Sequence, residues 1–389
     1  MTVALLSPGG QELLGRLAGE EVGPDQALRL AQSLRGDYPP ELIAAALTQQ
    51  ALRVAARAKF SRADEMLFTR DGLEQASSEG TARHAAARFA DASPVADLCC
   101  GIGGNLIALA QAAGRRVLGI DRDPASLAFA RHNARVYGAA SDLATVCADV
   151  REISLAGVDA VFIDPARRAS GRRLRAGHSE PPLGWCLGLA GQAQAVGIKA
   201  APGLPRDLIP EGWEAEFVAA GRDLKEALLW SPALATAGSR ATVLPSGDTL
   251  TPAPGHTAEI PVAAPGAFLF DPSPAVTRAG LVEDLARQLN AWKIDPEIAF
   301  LSADREHHSP FARTLRVLES APWHERHFAR RLRELGIGAA DIRRRGLAGD
   351  VPQIHRRLGL RGPGRATIVI TRASGRPWGL ICTDATSHP

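Results

Sequence analysis

Lysine is scarce in this sequence: only four of the 389 residues are lysine, against 41 arginines. The lysines are Lys59, Lys199, Lys225 and Lys293. Arginine therefore supplies nearly all the positive charge. Together with the abundant alanine, glycine and proline, this indicates a GC-rich genome, so the identity of a single arginine is weak evidence of function.

Cysteine and long apolar runs are also in short supply. The five cysteines show no metal-type spacing, and an odd count in a chain of this length argues against a secreted disulfide scaffold. No window approaches the roughly 20 apolar residues of a membrane span, and MTVALLSPGG lacks the basic start of a signal peptide. We therefore expect a cytoplasmic protein that does not enter a membrane.

Histidines cluster in REHHSPF and PWHERHF, at His307, His308, His324 and His327. A structural zinc site would need cysteine ligands and hydrogen-bond partners that orient the histidines, and these segments lack both. We expect no metal.

Charge is distributed unevenly along the chain. Residues 301–389 carry 16 arginines and 8 acidic residues, a net charge of +8, whereas the first 300 residues carry a net charge of −5. A basic end on an otherwise acidic chain favours a polyanionic partner such as RNA.

The spacing of apolar residues divides the chain. Residues 9–70 show helical spacing, and from Pro94 short apolar strands alternate with helices, which predicts a parallel sheet with crossover helices. The helix after Asp121 is marked by Asp123 as cap, Pro124 at its first position and Gly138 as stop. Residues 246–265 are rich in proline and glycine and are typical of a linker. We expect a helical extension (1–74), an α/β core (75–248), a linker (249–265) and a C-terminal region (266–389) of small α+β type.

A glycine cluster follows the first strand of the core, in DLCCGIGGN. Glycines at 101, 103 and 104 let the backbone turn tightly and approach a ligand, and Asp121 ends the next strand 20 residues after Gly101, where a carboxylate can bind ribose hydroxyls. A dinucleotide site would carry a third glycine where Leu106 stands. The pattern favours a nucleoside-like cofactor other than NAD.

Asp97 ends the strand just before this cluster, where it would repel a pyrophosphate and attract a cation. S-adenosylmethionine has a sulfonium and an ammonium but no phosphate, so we expect Asp97 to face its methionine end, Asp121 its ribose and Asp149 its adenine. Cys99 and Cys100 are interpreted as small apolar spacers beside the turn.

The fourth strand, DAVFIDP, should end at the crevice where open parallel sheets bind ligands. Asp164 and Pro165 are therefore the candidate chemical positions. Five arginines follow within nine residues, at 167, 168, 172, 173 and 175. They form either a contact to a nucleic-acid backbone or a solvated basic loop.

The segments DLCCGIGGNLIALA, VLGIDRDPASLAFARHNARVYG and VCADV resemble the class I methyltransferases, and above all the trimethylguanosine-synthase type of RNA guanine 2-amino methyltransferase. The resemblance implies a Rossmann-like, mostly parallel seven-stranded sheet and binding of S-adenosylmethionine. The cofactor site it implies comprises Asp97, Cys99, Gly101, Gly103, Asn105, Asp121, Arg122, Asp149 and Val150. Related enzymes cover the cofactor with a segment that corresponds here to Gln75, Ser77, Ser78 and Glu79, although these residues equally suit a helix cap.

Amino methyltransferases of this class carry a polar residue, two prolines and an aromatic after the fourth strand. This chain keeps Asp164 and Pro165 but has Ala166 and Arg167 in the last two positions. Arg167 can stack on a base through its guanidinium plane. The departure puts a cap-like target in doubt, and Asp164, Pro165 and Arg167 remain the candidate catalytic residues.

The C-terminal segment IRRRGLAGDVPQIHRRLGLRGPGRATIVITRASGRPWGLIC resembles the THUMP-like domain of bacterial methyltransferases, at about residues 320–389. THUMP modules bind RNA, so the resemblance implies an RNA partner; a solvated arginine-rich surface is the alternative. The candidate RNA-binding residues are Arg168, Arg172, Arg173, Arg343, Arg344, Arg345, Arg356 and Arg357.

The sequence thus predicts a methyltransferase that uses S-adenosylmethionine to modify a purine nitrogen, with the guanine 2-amino group favoured, in tRNA or rRNA. Two alternatives remain: a small-molecule or protein methyltransferase on the same core, and a non-catalytic RNA-binding protein that retains the cofactor fold. The sequence leaves the oligomeric state open.

Overall fold

A computed structural model describes residues 2–20, 23–111, 115–166, 168–169, 172–173, 179–255 and 258–385. Arg167 lies outside the described residues, and so do the side chains of Arg168, Arg172 and Arg173. Two compact units divide the chain: Met1–Ala215 with Glu226–Thr236, and Glu216–Lys225 with Ala237–Pro389. The four-part division expected from the sequence stays a prediction.

The N-terminal residues are helical, as the apolar spacing predicted. After a short 3-10 helix (Thr2–Leu6), the helices are α1 (Pro8–Arg16), α2 (Pro24–Leu34), α3 (Pro40–Ala56), α4 (Arg70–Gln75) and α5 (Glu79–Ala87). Proline occupies the first turn of α1, α2 and α3, where its missing N–H costs no hydrogen bond. Leu13, Ile43 and Phe68 are fully or almost fully buried in the apolar cluster that these helices share.

The α/β core follows. Its strands are β1 (Val95–Leu98), β2 (Val117–Asp121), β3 (Leu143–Cys147), β4 (Ala160–Ile163), β5 (Arg168–Ala169), β6 (Arg172–Arg173), β7 (Ala195–Ala200), β8 (Glu214–Ala220), β9 (Asp223–Trp230), β10 (Ser239–Leu244) and β11 (Asp248–Leu250). Its helices are α6 (Gly104–Ala110), α7 (Pro124–Val136) and α8 (Leu183–Gly188). As predicted, α7 begins after Asp123, whose carboxylate accepts from the N–H groups of Ala125 and Ser126, and Gly138 follows its end with φ +68°.

Within the described residues, nine of these strands form one sheet in the order β11-β10-β8-β9-β7-β4-β1-β2-β3. The strands β7, β4, β1, β2 and β3 are parallel neighbours, and β9 pairs antiparallel with β7. The sheet therefore has two more strands than the seven that were expected. β11 lies in the proline-rich stretch interpreted as a loose connection, where it pairs antiparallel with β10.

The remaining elements follow β11. They are β12 (Phe268–Pro272), α9 (Pro274–Ala279), α10 (Val282–Gln288), β13 (Trp292–Lys293), β14 (Leu301–Ala303), β15 (Ala312–Pro322), α11 (Glu325–Glu334), β16 (Ile337–Arg344), α12 (Val351–Leu358), β17 (Gly364–Ala373) and β18 (Arg376–Asp384). The apolar spacing of RAGLVEDLARQLNAW, residues 278–292, predicts one helix, but Gly280 takes up φ +71° and separates α9 from α10.

A second sheet has the order β13-β14-β12-β15-β18-β17-β16 among the described strands, and its only parallel pair there is β16 with β17. Side chains of α11 and α12, such as Phe328 and Leu358, pack with Ile368 and Ile381 of the sheet. Phe300, Val369 and Leu380 belong to a second apolar cluster. The alternation of residues along β17, with Ile368 in one cluster and Val369 in the other, is the period of two expected for a strand buried on both faces.

Candidate active site

A cavity of about 700 Å³ lies at the carboxyl ends of the parallel strands β1 to β4. Parallel strands present their carboxyl ends at one edge, so residues that follow different strands meet there. The volume is in the ordinary range of small-molecule sites, roughly 300–1,000 Å³. Its lining includes Gln75, Ser77, Cys99, Gly101, Asn105, Asp121, Arg122, Asp149, Val150, Asp164 and Pro165.

The glycine turn begins the lining. Gly101 and Gly103 have φ values of +53° and +92°, which side chains rarely tolerate. Gly101 lines the cavity, whereas Gly103 does not: a Cβ at Gly103 would lie 3.2 Å from Cα of Ala130, so this glycine lets α6 and α7 approach. Within this turn, Gly101 lines the cavity and Gly103 allows α6 to pack closely against α7.

Asp121 holds this turn in place. Its Oδ2 accepts a hydrogen bond from the backbone N–H of Gly101 at 2.9 Å, and its Oδ1 accepts from the N–H of Asp123 at 2.9 Å. The carboxylate therefore has fixed orientation at the end of β2. Each oxygen can still accept another hydrogen bond from a ligand, because a carboxylate oxygen carries two lone pairs.

Asp149 lines the cavity after β3 and is paired with an arginine. Its oxygens accept from the backbone N, the Nε and the Nη2 of Arg151, at 3.0, 2.9 and 2.6 Å. These hydrogen bonds lower the pKa of Asp149 to about 2. Arg151 also pairs with Glu180, Nη1 to Oε1 at 2.9 Å, which links the β3 end to the segment before α8.

Asp97 behaves differently from the other acidic residues. It is fully buried and does not line the cavity, and neither of its carboxyl oxygens has a hydrogen-bond partner among the described residues. Burial raises its pKa well above the ordinary value, and the nearby charges of Asp164 and Asp121 act in the same direction. Burial therefore favours the protonated form of this carboxyl group. Whether it serves the methionine end of the cofactor stays a prediction.

Cys99 and Cys100 both border the cavity, Cys100 as a buried side chain. Burial raises the pKa of both thiols above the ordinary value. Thiols that stay protonated are poor nucleophiles, which agrees with their interpretation as apolar spacers.

Asp164 follows β4 and is joined to a lysine that the sequence analysis did not select. Its Oδ2 accepts a hydrogen bond from Nζ of Lys199 at 2.6 Å, and the lysine side chain is 3% exposed. Lys199 lies in β7, inside the apolar run AVGIKA. A lysine inside an apolar run, in a chain that has only four lysines, was the sequence signal that could have identified it. The strand is buried at every position.

The four candidate cover residues have two different environments. Gln75 and Ser77 line the cavity. Ser78 is the N-cap of α5, accepting from the N–H of Thr81, and Glu79 accepts from the N–H of Ser61 and pairs with Arg83. Ser78 is thus a helix cap, and a role of this segment in covering the cofactor stays a prediction.

The five candidate RNA-binding arginines of the C-terminal region have different surroundings. Arg343 and Arg345 both pair with the buried Asp271, Nη2 to the carboxylate at 3.0 and 2.7 Å. Arg344, between them, is exposed and donates to the carbonyl oxygen of Leu347. In α12, Arg356 and Arg357 are exposed, and Arg357 lies 3.7 Å from a carboxylate oxygen of Glu325.

The described part of the chain contains no group of three or more histidine, cysteine, aspartate or glutamate residues placed to hold a metal ion. No helix in it has the length and apolar character needed to cross a bilayer.

Family models match three parts of the chain. Residues 2–56 match a domain of unknown function, residues 92–173 match the RNA cap guanine-N2 methyltransferase model, and residues 312–384 match the THUMP domain-like model. The second match contains the glycine turn, Asp121, Asp149 and Asp164.

Whole-chain comparisons extend these matches. A Porphyromonas gingivalis W83 protein of known crystal structure, provisionally assigned as a methyltransferase, has the same fold, with a TM-score of 0.76 at 22% identity over 94% of this chain and 100% of that one. Uncharacterised S-adenosylmethionine-dependent methyltransferases of Mycobacterium tuberculosis strains CDC 1551 and H37Rv are 39% identical over 315 residues, which is 79% of this chain and 85% of theirs. At that identity and coverage, the chain belongs to the S-adenosylmethionine-dependent methyltransferases and uses that cofactor.

Proposed function

We propose that this enzyme methylates a purine nitrogen of structured RNA, tRNA or rRNA, with the guanine 2-amino group as the favoured target. The observation that carries the proposal is the position of Asp164 and Pro165 in the lining of the same cavity as Gly101, Asp121 and Asp149. The match to the RNA cap guanine-N2 methyltransferase model covers all five residues. The THUMP domain-like match at 312–384 and the net charge of +8 at that end support an RNA partner.

The charge of the cavity fits the cofactor. Its lining contains six carboxylate residues and three arginines; the carboxylates are Asp71, Asp121, Asp123, Asp149, Asp164 and Glu180. Such a surface favours a ligand with a sulfonium and an ammonium group over one with a pyrophosphate. When bound, S-adenosylmethionine supplies an activated methyl group on a positively charged sulfur.

The residues proposed to hold the cofactor follow from the lining. Asp121, oriented by its two backbone hydrogen bonds, suits the ribose hydroxyls, and Asp149 with Val150 suits the adenine. Gly101 and Asn105, between β1 and the first turn of α6, line the cavity, and so do Gln75 and Ser77. Asp97 and Gly103 lie outside the lining, Asp97 as a buried carboxyl group and Gly103 as a contact to α7.

Asp164 is proposed to orient the target amine. Its Oδ2 is engaged by Lys199, and its Oδ1 accepts no hydrogen bond from the described residues, so Oδ1 can accept one from the amine. In-line displacement at a methyl group depends mainly on positioning, which can supply about 7–11 kcal/mol. As the bond from nitrogen to the methyl group forms and the bond from the methyl group to sulfur breaks, the negative charge of Asp164 stabilises the positive charge that develops on the nitrogen. The nitrogen then loses one proton to water, and the sulfur leaves as a neutral thioether. Arg167 is proposed to stack on the base.

Labelling of cellular material tests the proposal directly. The protein is incubated with labelled S-adenosylmethionine and an extract of a strain that lacks it, after which RNA, protein and small molecules are separated and counted. Nucleoside mass spectrometry of the RNA should show one labelled nucleoside, a guanosine methylated at its 2-amino group. Label confined to the protein or small-molecule fraction would contradict an RNA substrate, and the Asp164→Ala variant measures the background.

A further inference from the structure

Lys199 carries a buried charge whose hydrogen-bonding capacity is fully used. Its Nζ donates to Oδ2 of Asp164 at 2.6 Å, to Oγ of Ser77 at 2.9 Å and to the carbonyl oxygen of Gln75 at 3.4 Å. An ammonium group has three N–H donors, and a buried charge is tolerated when it is paired and hydrogen-bonded. With every donor engaged, Lys199 acts as a fixed cation rather than as a base.

The three acceptors come from two distant parts of the sequence. Asp164 follows β4, 35 positions before the lysine, whereas Gln75 and Ser77 lie more than 120 positions before it, in the segment at the end of α4 (residues 75–77). Both parts line the cavity. One ammonium therefore joins the carboxylate proposed to receive the target amine to the wall of the cofactor cavity.

A second carboxyl group borders this ammonium. Oε2 of the buried Glu226 lies 4.0 Å from Nζ of Lys199 and accepts a hydrogen bond from Oγ of Ser77 at 3.4 Å. Nζ of Lys199 lies 2.6 Å from Oδ2 of Asp164, so the contact to Asp164 is the principal ion pair of the lysine. Burial raises the pKa of Glu226. Ser77 thus bridges Lys199 and Glu226.

We propose that Lys199 is a positioning residue, which holds Oδ2 of Asp164 so that Oδ1 faces the target amine. The same lysine holds the segment 75–77 at a fixed position relative to that carboxylate. The proposal rests on the proposed role of Asp164. It assigns Lys199 no contact with the methyl group or the base.

The chain offers a matched control in Lys59. Its Nζ donates to the carbonyl oxygens of Leu73, Glu74 and Ala76, at 2.8, 3.0 and 2.9 Å. Lys59 thus anchors the end of α4 and the start of the same segment, but none of these three bonds involves Asp164. Loss of Lys59 loosens the segment, whereas loss of Lys199 loosens both the segment and the carboxylate.

The test compares Lys199→Met, Lys59→Met, Asp164→Asn and the Lys199→Met/Asp164→Asn double variant. We expect Lys199→Met to lower the methyl-transfer rate at saturating cofactor and substrate by about 100-fold, because a displacement of about 1 Å in a positioned group can cost that much. Its affinity for S-adenosylmethionine, measured by calorimetry, should stay within about five-fold of wild type. Lys59→Met should keep its saturated rate within about three-fold, since its effect is confined to a wall of the cavity.

The double variant separates action through Asp164 from independent action. If Lys199 acts by positioning that carboxylate, Lys199→Met should cause little further loss once Asp164 is Asn, because coupled residues are not additive. An unchanged rate in Lys199→Met, an equal fold-loss in both Asp164 backgrounds, or a loss in Lys59→Met as large as in Lys199→Met would each overturn the proposal.

If Lys199→Met fails to fold, Ser77→Ala still tests the proposal. It removes one acceptor of Lys199 and leaves the ion pair of Lys199 with Asp164 in place. We expect its saturated rate to fall by about 3- to 10-fold, the loss of one ordinary hydrogen bond, and an unchanged rate would overturn the proposal. The rates are measured with the fractionated extract, using whichever fraction takes up label. Label outside RNA would contradict the proposed function, whereas the ratios between variants would still decide the role of Lys199.

Discussion

The backbone N–H of Gly101 donates a hydrogen bond to Oδ2 of Asp121 at 2.9 Å, which ties the turn after β1 to the end of β2. The two residues are 20 positions apart in sequence and meet because their strands are parallel neighbours, with Leu98 opposite Ile120. The carboxylate therefore shapes the turn and faces the cavity at the same time.

Removal of the Asp121 carboxylate should weaken cofactor binding. Hydrogen bonds to charged groups contribute about 1.5–3 kcal/mol, so Asp121→Ala should lower the affinity for S-adenosylmethionine by roughly 10- to 100-fold. Calorimetry measures this, with Asp142→Ala as the control, since Asp142 is exposed and outside the cavity lining. Equal affinities for wild type and Asp121→Ala would show that this carboxylate does not hold the cofactor.

Asp164 should affect the chemical step and spare cofactor binding. We expect Asp164→Ala to lower the methyl-transfer rate by at least about 100-fold, because a preorganised charge at the developing cation is lost. Its affinity for S-adenosylmethionine should stay within a few-fold. If rate and affinity fell by the same factor, Asp164 would be a cofactor ligand rather than an orienting group for the amine.

Asp97 should make stability depend on pH. An acid whose pKa is raised on folding binds more protons in the folded state, so its contribution to stability is complete below its unfolded pKa, near 4, and is lost as pH rises toward the folded value. Thermal melts of wild type and Asp97→Asn from pH 4 upward should show the Asn variant gaining relative stability as pH rises. A difference independent of pH would mean that the two states of the chain bind this proton equally.

Gly197 is required for packing inside the sheet. A Cβ at this position would lie 2.5 Å from Trp230 and 2.9 Å from Phe89, both buried rings. Overpacking of this kind costs about 1–3 kcal/mol, so Gly197→Ala should lower the free energy of unfolding by that amount. Gly191→Ala, where a Cβ meets no atom within 4 Å, should change it by less than about 0.5 kcal/mol in denaturant titrations.

Two C-terminal arginines should differ in what they affect. Arg345→Ala removes one partner of the buried Asp271 and should cost about 1–3 kcal/mol of unfolding free energy. Arg356→Ala should leave stability unchanged and, if RNA binds this region, should weaken binding and reduce the slope of log affinity against log salt by about 1. Filter binding with bulk tRNA at several salt concentrations measures this; an unaltered slope would place Arg356 away from the phosphates.

Much of the architecture could be predicted from the sequence, because it depends on residues that are close together in the chain. Asp123 and Pro124 start α7 whatever the rest of the chain does, since a cap and a fixed φ act within one turn. The acidic residues after β2, β3 and β4 were expected to meet because parallel strands share an edge, and Asp121, Asp149 and Asp164 do line one cavity. Gly280, by contrast, divides a stretch whose apolar spacing alone predicted one helix.

The sequence by itself determined the alternation of strands and helices, the glycine turn and the acidic strand ends, because these follow from local conformation and a fixed period. Only the tertiary structure decided that Asp97 is buried outside the cavity lining, that Arg343 and Arg345 pair with Asp271, and that Lys199 joins Asp164 to Ser77. Each of these contacts links residues that are far apart in the chain. Which side chains meet across such distances is fixed by packing, and no local pattern encodes it.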